Sequence, residues 1–294
     1  MLPAAVLQVV QPLFDDITFA ILATGVLTAA SAALLGTFLV VRGQAMLSDA
    51  ISHGVVFGIA VTFLVSGAVS GPLQLFGAAL AGLLTVLLTE ALAGSGRMRR
   101  DAATGLVFPA LFAAGVLLLG LYARDVHVDS HTVLLGEIGF VWLDTIDLFG
   151  LMVPRAVAVL GGVFLLNVAY VSAFYKALVA ASFDQQLARL QGLRPRLVTV
   201  GLLALTSLTA VAALDAVGVV MFVAFAITPA VVGRLAAARL PAVLAVALVV
   251  GVGAALGGYP LAVVADVSIG GMMALLTSLP LLMMLFMRRT WHLS

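Results

Sequence analysis

Asp49 and His53 stand four residues apart in Met46-Leu47-Ser48-Asp49-Ala50-Ile51-Ser52-His53-Gly54-Val55-Val56-Phe57-Gly58. On a helix that spacing puts both side chains on one face, with Cβ atoms roughly 6 Å apart. The surrounding run is apolar, so the pair is expected at membrane depth. A charge there costs roughly 3 kcal/mol or more and needs a partner or a cavity. A carboxylate oxygen beside an imidazole nitrogen suits a divalent first-row metal ion. The same two groups suit a proton relay, or a buried polar contact with no chemistry attached. Ser48 and Ser52 add hydroxyls nearby, and Gly54 and Gly58 form a small-xxx-small pair that lets another helix come close.

The elements that must position this pair are membrane helices. The 294 residues are 64% hydrophobic and 9% charged, with a mean hydropathy of +1.26, whereas a soluble domain carries about 25% charged residues. The expected fold is all-α: one polytopic membrane domain over residues 1–294. The long continuous apolar runs do not alternate as barrel strands do. Nine spans are expected, near 17–41, 47–67, 71–93, 104–122, 148–173, 195–213, 216–235, 241–257 and 269–287. Thr228-Pro229 is expected to kink or break the seventh, and eight spans plus a re-entrant element is the alternative.

With an odd count and the N-terminus outside, Arg42, Arg97, Arg99, Arg100, Lys176, Arg189, Arg194, Arg196, Arg234, Arg239, Arg288 and Arg289 fall on the inner side. Only Arg124 and Arg155 fall outside, so the basic residues set the orientation.

Several function classes are excluded by what the sequence lacks. A net charge of +1 offers no basic surface for nucleic acid. The absence of cysteine removes disulfides, thiolate metal sites and iron–sulfur clusters, so any metal must be held by nitrogen and oxygen. There is no Gly-x-x-x-x-Gly-Lys-Ser/Thr loop, no Gly-x-Ser-x-Gly elbow and no His-Glu-x-x-His. With its first basic residue at Arg42, the N-terminus reads as an inserting span rather than a cleaved signal.

Two segments outside the spans carry further polar chemistry. The outer loop, about 122–147, holds Arg124-Asp125-Val126-His127-Val128-Asp129-Ser130-His131 and Gly136-Glu137-Ile138. It can receive a metal ion, dock a partner that carries one, or simply be a solvated loop. The inner segment runs Ser182-Phe183-Asp184-Gln185-Gln186-Leu187-Ala188-Arg189-Leu190-Gln191-Gly192-Leu193. Ser182 or Asp184 can cap a helix there and Gly192 can end it. Phe183, Leu187 and Leu190 share one face, to lie on lipid or to enter a groove on a soluble protein.

Lesser features are read structurally. Glu90 can snorkel, Asp215 and Asp266 can cap helices or line an entrance, and Asn167 and Tyr170 suit interhelical hydrogen bonds. Gly251, Gly253 and Gly257 follow no strand, so they read as packing glycines rather than a dinucleotide loop.

Taken together, the chain resembles the membrane permeases of ATP-binding-cassette importers for manganese, zinc and iron over nearly its whole length. Ser48-Asp49-Ala50-Ile51-Ser52-His53 is similar to that family's Gly/Ser-Asp-Ala-x-Ser-His signature in the second span. Arg100-Asp101-Ala102-Ala103-Thr104-Gly105-Leu106-Val107-Phe108 resembles the segment opening its fourth span. Val128-Asp129-Ser130-His131-Thr132-Val133-Leu134-Leu135-Gly136-Glu137-Ile138 resembles its outer-loop motif, with Leu135 where Phe is usual. Phe183-Asp184-Gln185-Gln186 through Gly192-Leu193 resembles its Phe-Asp-Pro-Glu…Gly-Leu coupling segment, with Gln185-Gln186 for Pro-Glu. Asp215-Ala216-Val217-Gly218 and Ile227-Thr228-Pro229-Ala230 resemble its Glu-Ala-Val-Gly and Pro-Ala-Ala motifs.

The resemblance implies a transport subunit, not an enzyme, in a prokaryotic cell membrane, with the C-terminus cytoplasmic. Its implied partners are a second permease copy, a cytoplasmic ATPase dimer and an extracytoplasmic metal-binding protein. It makes Asp49 and His53 the ligands of the transported ion, doubled by a two-fold axis to a set that suits nitrogen and oxygen coordination. It makes Asp129, His131 and Glu137 a gate or docking region. Phe183, Asp184, Leu187, Arg189, Leu190 and Gly192 become the coupling element. The Ala50-Ile51-Ser52 spacer looks more like manganese and iron members than zinc ones. A proton-coupled secondary metal transporter, with Asp49 and His53 as relay, is the rival reading.

Overall fold

The computed structural model describes residues 16–67, 72–122, 138–148 and 150–291. In chain order the helices are α1 (Asp16–Val41), α2 (Met46–Ser66), α3 (Pro72–Gly94), α4 (Arg100–Tyr122), α5 (Arg155–Phe183), α6 (Gln185–Leu190), α7 (Pro195–Ala236), α8 (Leu240–Ala265) and α9 (Ile269–Trp291). A short antiparallel hairpin, β1 (Thr145–Leu148) and β2 (Leu151–Pro154), precedes α5. The fold is thus all-α and polytopic, as the composition requires.

Helix ends follow local chemistry. Gly67 closes α2 in the left-handed conformation, with φ of 66° and its N–H on the Phe63 carbonyl. Pro195 and Pro241 sit in the first turns of α7 and α8, where a missing N–H costs nothing. Pro109, Pro229, Pro260 and Pro280 lie inside their helices. Membrane helices tolerate this because neighbours re-satisfy the freed carbonyls.

At 42 residues, α7 is continuous in sequence but not in direction. A straight helix of that length would run about 63 Å, roughly twice the hydrocarbon thickness. Instead, Arg42 Nη1 donates to Thr199 Oγ1 near its start (2.8 Å), and Arg234 Nη1 near its end reaches the Val41 carbonyl (3.4 Å). Both ends therefore meet the same corner of α1, and α7 must double back. The break is at Gly218, whose φ of 78° and ψ of 171° only glycine adopts readily. The arms are 195–217 and 219–236.

Eight described helices are long and apolar enough to cross a membrane. With two passes in α7 they make the nine crossings expected. The reversal at Gly218 falls within a few residues of the boundary expected between 195–213 and 216–235, whereas the kink expected at Thr228-Pro229 is not seen: a left-handed glycine reverses the chain, while a proline in a packed helix merely drops one bond. The fifth span begins at Arg155, later than expected, because 145–154 forms the hairpin. There Gly150 N donates to Asp147 Oδ1 (2.7 Å), and Arg155 pairs with Asp144 (3.4 Å).

The core centres on α1 and α7, which pack against each other and against α5 and α8. α1 buries Ala20, Ala29, Leu35, Phe38 and Leu39, and its Thr24 and Thr37 hydroxyls donate back to the Ala20 and Ala33 carbonyls. Helices α2, α3 and α4 form a separate three-helix unit resting on α7.

Candidate functional site

Asp49 and His53 sit in the first two turns of α2, nearer the Arg42 end of the molecule than mid-depth. The helix N-terminus favours the Asp49 carboxylate there. His53 Nε2 lies 3.5 Å from Asp49 Oδ1, so the i, i+4 geometry expected from the spacing is realised. The two side chains are 29% and 33% exposed, so the pair opens to the outside of the single chain.

Packing on the remaining sides of α2 fixes that opening. Gly54 and Gly58 lie against Thr85 and the Gly77–Ala78 backbone of α3, leaving no room for a Cβ. Gly115 of α4 lies equally close to the backbone of Val56 and Phe57. α4 also supplies two rings to His53: Phe108 stacks on it at 5.7 Å between centroids, and Phe112 meets it edge-on at 5.8 Å. These contacts hold the imidazole in one orientation. Phe108 falls inside the family-like segment quoted above; Phe112 was not singled out, although its i, i+4 spacing from Phe108 on a helix was the available signal.

Ser48 and Ser52 do not join the site. Both are buried, and their hydroxyls donate to the Ala45 and Ser48 carbonyls at 2.7 and 3.0 Å. Beyond His53 the same stripe continues through Phe57, Val61 and Val65 with no titratable group. Among the described residues no three His, Cys, Asp or Glu side chains gather to hold a metal ion. Among the described residues, one copy of the chain therefore brings two such groups together, short of what nitrogen and oxygen coordination of a divalent ion normally requires.

The inner segment takes the form the sequence suggested. Asp184 Oδ1 accepts from the N–H groups of Gln186 and Leu187, both at 2.9 Å, and so caps α6. Gly192, with φ of 76°, ends it. Phe183, Leu187 and Leu190 are exposed at 65, 49 and 85%, a bare apolar face on a six-residue helix, with Arg189 in the last turn. Asp129, His131 and Glu137 lie outside the described residues.

Other polar groups are structural. Asn167 Nδ2 donates to Thr209 Oγ1 (2.9 Å) and Tyr170 to the Val198 carbonyl (2.7 Å), both interhelical. Asp266 ends α8 with φ of 53°. Gly251 packs on Ala29 and Gly257 on Leu276, whereas Gly253 touches nothing. Glu90 does not snorkel alone: it pairs with Arg100 at 3.0 Å and accepts from Gln44 Nε2 at 3.2 Å.

The family model described as the ABC 3 transport family matches residues 14–288. The chain is 44% identical over 258 residues to the manganese transport system membrane protein MntD of Bacillus subtilis, covering 87% of each. It is 40% identical over 212 residues to the zinc transport system membrane protein TroD of Treponema pallidum, covering 72% of this chain and 58% of that protein. Among solved structures, PsaBC from Streptococcus pneumoniae in complex with Fab has the same fold: the TM-score is 0.77 at 24% identity, over 95% of both chains.

Proposed function

Because the chain belongs to the ABC 3 transport family, we propose that it is the permease of an ATP-driven importer of divalent transition-metal ions. The observation that carries this reading is the Asp49–His53 pair, held within 3.5 Å and about a third exposed on an otherwise apolar and tightly packed helix. Two ligands per chain become four when a second copy brings its own pair, which is the number a nitrogen and oxygen site needs. Manganese is the favoured cargo, supported by the 44%-identical manganese transport relative; the zinc transport relative keeps zinc second.

The Arg42 end is the cytoplasmic side in this reading, as the basic residues of its loops require. The bare face of α6 then meets a separate ATPase, and the opposite end, including the 122–147 loop with Asp129, His131 and Glu137, meets an extracytoplasmic metal-binding protein. An ion released there passes along the apolar stripe of α2 to the two Asp49–His53 pairs. Nucleotide-driven closure of the ATPase moves α6, and the path opens to the other side. Membership of an ABC family supports ATP, rather than a proton gradient, as the driving force.

The test is uptake of labelled manganese by proteoliposomes holding the permease, its ATPase and its binding protein, with zinc and iron as competitors. ATP-dependent uptake that disappears in His53→Ala is the expected result. Uptake that needs no ATP, or survives the substitution, would overturn the assignment.

A further inference from the structure

Close to the metal pair, but separate from it, a second polar cluster joins the loop flanks of α6 to the corner between α1 and α2. Its hub is Arg42. The guanidinium Nε donates to Ser182 Oγ at 2.9 Å, and Nη1 donates to Thr199 Oγ1 at 2.8 Å. Ser182 ends the approach to α6, and Thr199 lies in the first turns after it. The two hydroxyls give their own protons to the Leu178 and Pro195 carbonyls, so each oxygen is held as an acceptor aimed at Arg42. One side chain thus closes the 182–199 segment like a clasp.

The clasp continues toward the metal site. Gln44, 4% exposed, donates to Glu90, which pairs with Arg100 at the start of α4. The Gln44 carbonyl accepts the Leu47 N–H, the entry to α2 and Asp49. Elsewhere α1 and α2 barely touch, and α2 otherwise meets the core through its packing on α7, so this corner is the direct link from α1 to the helix that bears Asp49 and His53.

The cluster is also incompletely paired. Arg42 Nη2, Arg100 Nε and Gln44 Oε1 are buried without a hydrogen-bond partner. Arg42, Gln44, Arg100, Ser182, Phe183 and Thr199 line a cavity of about 90 Å³. Burial draws the Arg42 pKa down, with Tyr170 and Glu90 opposing it.

We propose that Arg42 is a positioning residue for transport: by holding Ser182 and Thr199, on either side of α6, against the Arg42–Gln44 turn that leads into α2, it transmits displacement of α6 to that helix. This rests on the proposed importer function. It predicts that breaking the bridge uncouples ATP hydrolysis from uptake without touching metal binding.

The experiment compares wild type, Arg42→Ala, Arg42→Lys and the double variant Ser182→Ala/Thr199→Val in the complete reconstituted complex. Manganese binding, ATP hydrolysis and manganese uptake are measured on each. Arg42→Ala and the double variant are expected to bind manganese like wild type and hydrolyse ATP within about three-fold, while ATP consumed per ion rises at least ten-fold. Arg42→Lys, which keeps the charge but not the fork, recovers only part of the coupling. If Arg42→Ala does not assemble, the double variant decides alone. An unchanged ATP-to-ion ratio in the double variant, or full recovery with lysine, would overturn the proposal. Failure of the importer reading itself is separate: wild type would then show no ATP-dependent uptake.

Discussion

α1 and α2 are consecutive helices of similar apolar character, yet they do opposite work. α1 is enclosed by α5, α7 and α8, and its buried Thr24 and Thr37 hydroxyls are spent on its own backbone. α2 is held on two sides by glycine contacts and left open on the third, and the open side is where its carboxylate and imidazole stand. The difference teaches that burial and chemistry are divided between neighbours. One helix is enclosed on all sides, and the other leaves two polar side chains about a third exposed.

Substitutions on the two helices should separate these roles. The largest functional effect is expected on α2. Asp49→Ala and His53→Ala should each lower uptake by at least about 100-fold, since losing a ligand of a buried divalent ion leaves too few to hold it. The melting temperature in detergent should move by only a few degrees, because a partly exposed ion pair contributes about 1 kcal/mol or less. A large stability loss would instead mark the pair as structural.

α1 should behave the other way. A Cβ at Gly36 would fall on the Ala226 carbonyl of the second arm of α7. Gly36→Leu should therefore cost about 3 kcal/mol or more, seen as loss of folded protein from membranes, although the residue is far from any ligand. Normal yield and melting would show that α1 is not the enclosed element described here.

The smallest effect tests how the open face of α2 is shaped. Phe112 meets His53 edge-on and is 38% exposed. An aromatic contact of this kind is worth about 1 kcal/mol, or about five-fold. Phe112→Ala should raise the manganese concentration needed for half-maximal uptake by about that factor and leave the maximal rate nearly unchanged. No change in either would leave Phe108 as the ring that matters.

Much of this arrangement could be read from residue order. The Asp49–His53 spacing gave the shared face, the Asp184 and Gly192 positions gave both ends of α6, and the long apolar runs gave the spans. What could not be read is tertiary. The boundary between 195–213 and 216–235 was legible beside Gly218, but not that the two arms would be one element hinged on that glycine, nor that Pro229 would stay within a straight run. Ser48 and Ser52 looked like neighbours of the site until the helix phase turned them inward. The Arg42 cluster is assembled from six helix ends separated by up to 157 residues in sequence, so no window of sequence contains it.

In the proposed importer the metal site is completed by two copies of the chain, each giving Asp49 and His53. The most direct test of that arrangement is the number of manganese ions bound per chain in the purified complex, measured by equilibrium binding with and without His53→Ala. One ion per two permease chains, lost in the variant, is the predicted result. One ion per single chain, or binding that persists without His53, would contradict it.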